Sequence, residues 1–92
     1  MKQIQGILSN CGTGQIKAGQ AITDIINELR RAESIHPGWP EDKIHAAALV
    51  CEEAGEALQA AVDTVYGGPH AWEHKTELIH TGAMVIRALV HL

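Results

Sequence analysis

Two clusters of helix-breaking residues, His36-Pro37-Gly38-Trp39-Pro40 and Gly67-Gly68-Pro69, divide this chain into three segments. Proline pushes the residue before it out of the helical region, so each cluster marks a boundary between elements. Within the segments the apolar residues recur at helical spacing. A first helix is expected from about Gly14 to Ala32, with Ile22, Ile25, Ile26 and Leu29 as its stripe. A second begins near Pro40 or Asp42, where proline suits a first turn and Glu41 and Asp42 complement the positive helix end. Its series Ile44, Ala47, Ala48, Cys51, Gly55, Leu58, Val62, Val65 keeps helical register over six turns. A third starts near His70 and runs to the end, carrying Leu78, Ile79, Val85, Ile86, Leu89 and Val90. Residues 1–13, punctuated by Gly and Asn, are expected to form a flexible segment or a short helix. No stretch alternates with period two. The expected fold is therefore all-α: one domain over residues 1–92, a small antiparallel bundle of three to four helices completed by oligomerisation.

The reason to expect oligomerisation is compositional. A chain of 92 residues buries a smaller fraction of its surface than a larger domain does. With no Phe, one Tyr and two Trp, its core must be built from Ala, Ile, Leu and Val. A second subunit extends the buried surface, so a homodimer or homotetramer is expected. The net charge of −4, with seven scattered Lys and Arg, supplies no basic patch for a nucleic-acid duplex. No apolar run is long enough to span a membrane. Gly6, Ser9 and Asn10 interrupt any early apolar run, so no signal peptide is read. Cys11 and Cys51 lack metal-type spacing and read as reduced thiols of a cytoplasmic protein, Cys51 within the helical apolar pattern.

The chemistry lies in Glu52-Glu53-Ala54-Gly55-Glu56 and, some twenty residues on, Glu77-Leu78-Ile79-His80. Glu53 and Glu56 are one turn apart, about 4.5 Å along a helix axis and roughly 60° apart in projection. Glu77 and His80 repeat that geometry on the third helix. The Gly67-Gly68-Pro69 break lets the two helices fold back on each other, so the pairs face across a groove. Carboxylates gathered this way repel unless a positive charge lies between them, and a divalent cation is the usual one. Gly55 is a poor helix former between the two acids, which suggests close approach of a backbone or ligand there.

Glu52-Glu53-Ala54-Gly55-Glu56-Ala57-Leu58 followed by Glu77-x-x-His80 resembles the MazG-like branch of the all-α nucleoside triphosphate pyrophosphohydrolases, over roughly residues 36–92. Members of that family carry an ExxE pair, a spacer and an ExxD pair, and bind magnesium with those side chains. The resemblance implies Glu53, Glu56 and Glu77 as metal ligands, with Glu52 as their neighbouring glutamate. It further implies hydrolysis of a nucleoside triphosphate to the monophosphate and pyrophosphate by a dimer or tetramer. His80 stands where the family has Asp. An imidazole nitrogen is a softer ligand and suits manganese, iron or zinc better than magnesium. His80 is thus a ligand in a manganese-preferring site, a general base, or the mark of an impaired relative.

On that reading Glu52 or His80 takes the proton from the attacking water. Lys75, Lys43 and Arg87 are the cations available to phosphate oxygens, Lys75 being nearest Glu77. His36 and Trp39, in the loop before the second helix, are expected to form the base slot, with Trp72 and His45 as weaker candidates. Two other signals fail on context. Gly12-Thr13-Gly14 lacks a preceding strand and the Gly-Lys-Ser/Thr ending of a phosphate loop, and His70 and His74 lack Glu in the position an HExxH zinc site needs. Two rival classes remain. Helical di-iron proteins combine single Glu residues with Glu-x-x-His; a degenerate relative would bind nucleotide or protein without turnover.

Overall fold

A computed structural model describes residues 12–92 of the chain, and every described element is helical. Helix α1 spans Gly12–Ile35, α2 Lys43–Tyr66 and α3 His74–Val90, with one turn of 3₁₀-helix, Ala71–Glu73, leading into α3. The expectation for residues 1–13 lies outside the described residues except that Gly12 and Thr13 belong to α1. Among the described residues no helix is long and apolar enough to cross a membrane.

Local chemistry sets the boundaries. The Asp42 carboxylate caps α2, accepting from the backbone N–H of Ile44 at 2.8 Å and His45 at 3.1 Å, so Pro40 stays outside the helix. At the other end Gly67 takes φ 81°, the left-handed region that favours glycine, and its N–H closes on the Asp63 carbonyl at 2.8 Å. Gly68 follows for a different reason: a β-carbon there would overlap the Asp63 carboxylate. That carboxylate is buried because it holds the turn, accepting from the Gln59 amide and from the His70 N–H, both at 2.9 Å. Thr64 adds a bond to the Ala71 carbonyl at 3.2 Å.

Helix α3 is the middle element. It lies against α2 in opposite sense, Thr64 meeting Ala71 near one end and Glu53 meeting His80 farther along. Helix α1 packs on its other side, where Gly82 leaves room for Ile25. Among the described residues helices α1 and α2 do not pack on each other. The interior is correspondingly thin. Among the described residues its buried apolar members are Ala46, Ala57, Ala60 and Ala83, and no larger apolar side chain is fully buried.

The apolar series of α2 does not form this interior. Ala46, Ala57 and Ala60 face α3, whereas Ile44, Cys51, Leu58, Val62 and Val65 face outward. The reason is steric and electrostatic together. The face carrying Asp63 and Glu53 has to meet the His70 N–H of the turn and His80 of α3, and the opposite face then points away. On α3, Ile79 and Ile86 are half-buried while Leu78, Val85, Leu89 and Val90 remain exposed; on α1, Ile22 is exposed.

Candidate metal centre

One carboxylate oxygen each from Glu53 and Glu77 and one ring nitrogen of His80 lie within 4.8 Å of one another. The helices explain how. Glu53 sits in the middle of the α2 face that meets α3. Glu77 and His80, three residues apart, share the α3 face turned toward it. His80 Nδ1 is 3.9 Å from both carboxylates, and its Nε2 is 3.7 Å from a third, Glu28 of α1. These separations exceed a hydrogen bond. Glu53 Oε2 and Glu77 Oε2 are buried and accept from no donor among the described residues.

Two ligands on opposite sides of a divalent cation stand about 4–5 Å apart, given bond lengths of roughly 2.0–2.4 Å. The spread of Glu53, Glu77 and His80 fits that span, and two orphaned carboxylate oxygens are the groups a cation satisfies. The donor set is two oxygens and one nitrogen, which suits manganese, iron or zinc.

Electrostatics carries the same strain. Burial first, then the neighbouring charge of Glu56, holds the Glu53 carboxyl above the ordinary glutamate range, against a smaller opposing pull from His80. Glu77 is also raised, by burial first and then by hydrogen bonding and repulsion from Glu56. Glu28 moves the other way. Arg31 donates to both its oxygens at 2.7 Å, and that hydrogen bonding holds its carboxyl low despite partial burial.

The other expected site residues divide into three groups. Glu56 lies beside Glu77 but outside the tight group, and Glu52 is exposed on the α2 flank. Lys75 and His36 border the centre from either side. Lys75 lines an open groove of about 490 Å³ between α1 and α3 with Glu28, Arg31 and His80. His36 lines a neighbouring hollow with Glu53, His80 and Arg87. The third group is committed elsewhere. Arg87 is only 4% exposed; it donates to the His36 and Gly38 carbonyls at 2.7 and 3.2 Å, and its guanidinium lies 4.9 Å from the Trp39 ring centre. Trp39 stacks on His91 at 5.7 Å, at the C-terminal end of α3 rather than over the carboxylates. Lys43, His45 and Trp72 are exposed and line neither the groove nor the hollow beside the centre.

Glu28 and Arg31 are absent from the sequence reading. The available signal was Glu28 itself, an acid three residues after Ile25 and beside Leu29 on the half-buried side of α1. Gly55 meets no close approach among the described residues, since its missing β-carbon faces open space there.

The class defined by fold and site is a small protein, all-helical over its described residues, with a carboxylate–imidazole group drawn from α2 and α3 and bordered by Glu28 of α1. Comparison with protein-family models, with curated proteins and with solved structures gives no match to this chain.

Proposed function

We propose that this chain is a divalent-metal-dependent nucleoside triphosphate pyrophosphohydrolase, converting an NTP or dNTP to the monophosphate and pyrophosphate in nucleotide-pool housekeeping. The observation that carries the reading is the pair of buried, unpartnered carboxylate oxygens on Glu53 and Glu77, converging with His80. They come from the two segments whose EExxE and ExxH patterns resemble the MazG-like enzymes. The protein works as a cytoplasmic homodimer or homotetramer, its antiparallel helical bundle closed by the second copy. Its substrate is a nucleotide, with neither a nucleic-acid duplex nor a membrane as partner.

Glu53, Glu77 and His80 hold the cation, Mg²⁺ or more suitably Mn²⁺, with Glu56 supporting Glu77. When bound, the cation offsets triphosphate charge and lowers the pKa of a bound water. The chain's own residues do the rest. Lys75 and Arg31 border the groove that receives phosphate oxygens, and His36 stands at the mouth of the adjoining hollow. Glu52 or His80 accepts the water proton. Arg87 serves by fixing the loop His36–Pro40, with Trp39, against α3.

Pyrophosphate release from a panel of ribo- and deoxyribonucleoside triphosphates, with Mg²⁺ or Mn²⁺, tests the reading. Turnover is expected, greater with Mn²⁺, and lost by at least about 100-fold in Glu77→Gln. No turnover from folded, cation-binding protein would sink it. A second reading rests on Glu28: single glutamates from α1 and α2 with Glu-x-x-His from α3 are three parts of a helical di-metal carboxylate site. That protein would take up ferrous iron and develop an iron absorption band in air without releasing pyrophosphate.

A further inference from the structure

We propose that the outward face of α2 is a symmetric interface between two copies of this chain, the helices packing antiparallel about a two-fold axis between Ala54 and Gly55. This inference names a surface opposite the carboxylates and stands whether or not the protein is a hydrolase.

Helix α2 is apolar on two faces. One meets α3 through Ala46, Ala57 and Ala60. The other presents Ile44, Leu58, Val62 and Val65 at 83%, 66%, 42% and 73% exposure. A helix apolar on both sides belongs between two partners, and among the described residues this one packs only on α3 and the 3₁₀ turn that leads into it. The outward face repeats every seven residues for three heptads: Ile44, Cys51, Leu58 and Val65 in one row, and Ala47, Ala54 and Ala61 in the next. Sustained a/d patterning of this kind specifies a helix partner rather than a small molecule.

The identity of that partner follows from self-complementarity. Turned end for end about the point between Ala54 and Gly55, the face matches itself: Ile44 falls opposite Val65, Ala47 opposite Val62, and Cys51 opposite Leu58. Ala54 falls opposite Gly55 at the centre, Ile44 meets Val65 at the ends, and between them the larger Val62 and Leu58 meet the smaller Ala47 and Cys51. No charged residue lies within the strip. On its rim Glu52 comes level with Ala57 of the second copy, and both Glu52 and Glu56 stay outside the strip on its exposed flank. A two-fold axis requires an isologous interface to match itself in this way, and an unrelated partner does not. Gly55 and Ala54 at the crossing allow the two backbones to approach closely, and they give Gly55 the close contact that the described residues alone do not provide.

The register is tested by cross-linking full-length protein in a Cys11→Ser, Cys51→Ser background. Two Ala54 α-carbons would be offset by only about 1.5 Å along the axes, whereas two Ile44 α-carbons would stand about 30 Å apart. Ala54→Cys is therefore expected to form an intermolecular disulfide on mild oxidation, and Ile44→Cys is not. Light scattering of the unmodified chain should give a dimer, or a tetramer built from it. Leu58→Lys, with helicity retained by circular dichroism, should weaken α2 pairing at least 100-fold and abolish the Ala54→Cys link. A monomeric wild type at tens of micromolar, an Ala54→Cys protein that does not link, or linking through Ile44→Cys, as in a parallel pair, would each overturn the proposal. The last two results would assign the face to a different partner or register.

Discussion

Glu77→Gln should make the cation-free protein more stable. The substitution removes one of two carboxylates whose ligand oxygens lie within 4.8 Å, on side chains 14% and 25% exposed. At that separation, with an effective dielectric near 20, two unit charges repel by about 3.5 kcal/mol. Partial exposure and the nearby His80 reduce this, so a net gain of about 1–2 kcal/mol is expected. For a domain of this size that corresponds to a rise in Tm of roughly 5–10 °C, read by circular dichroism in chelator at pH 7.5 and fixed protein concentration. The pH dependence has a definite sign. Glu53 and Glu77 are both held above the ordinary value of 4.5, so between 4.5 and their raised values the folded state binds more protons than the unfolded one. Wild-type stability then falls as pH rises through that window. The advantage of Glu77→Gln should accordingly be largest at neutral pH and shrink toward pH 5. Glu28, held low by Arg31, works in the opposite direction, its contribution being lost only as pH falls below the ordinary range. Mn²⁺, if the centre binds it as proposed, should reverse the order of the two proteins. At 100 times its Kd it adds about 2.7 kcal/mol to the wild type and far less to the variant. A Glu77→Gln Tm equal to or below wild type, in chelator at pH 7.5, would refute the account of a strained acidic centre.

Two further substitutions test how the centre is framed. Gly68→Ala should cost about 2 kcal/mol, because the new β-carbon displaces the Asp63 carboxylate from the His70 N–H; urea denaturation checks it, and a neutral result would show that the turn yields freely. Arg87→Leu should cost about 1–3 kcal/mol by leaving the His36 and Gly38 carbonyls without their donor. In a Trp72→Phe background it should also shift Trp39 emission to the red as the loop leaves α3, and unchanged emission would mean that stacking on His91 alone holds the loop.

The helices were legible because their ends are chemically explicit. Asp42 offers a cap, Gly67-Gly68-Pro69 forbids continuation, and nothing in between breaks period 3.6. Spacing of three on facing helices anticipated that Glu53, Glu77 and His80 converge once the turn folds back, but it placed Glu56 with them, and Glu56 lies beside Glu77 outside the group. The direction in which α2 turns was harder to read. Its stronger apolar series points outward, and hydropathy alone would bury that face and expose Ala46, Ala57 and Ala60. What decides the matter is the polar residues: Asp63 must reach the His70 N–H, and Glu53 lies toward His80. Glu28 was hidden for a related reason. Its role arises from α1 lying beside α3, a tertiary fact that no spacing within α1 encodes. Arg87 and Trp39 show a third limit, because a cation and an aromatic near a phosphate-type site look like binding groups until their partners are seen to be backbone carbonyls and each other.

The two faces of α2 answer to one shortage. Where the buried apolar residues, among those described, are four alanines, there is little hydrophobic stabilisation to set against acids on the face that meets α3. The chain can offset their repulsion with a cation on that side and extend its burial with a second copy on the other. Burying the outward Ile44, Leu58, Val62 and Val65 would contribute about 4–8 kcal/mol per chain at the usual values for such side chains, comparable to the whole stability of a small domain. The contributions come from opposite sides of one rigid helix and share no side chain, so they should add within about 0.5 kcal/mol. The gain from Mn²⁺ ought then to be the same in Leu58→Lys as in wild type when both are measured by chemical denaturation. Strong coupling between them would mean that the second copy reaches the carboxylate side of α2, and it would overturn the separation of faces argued here.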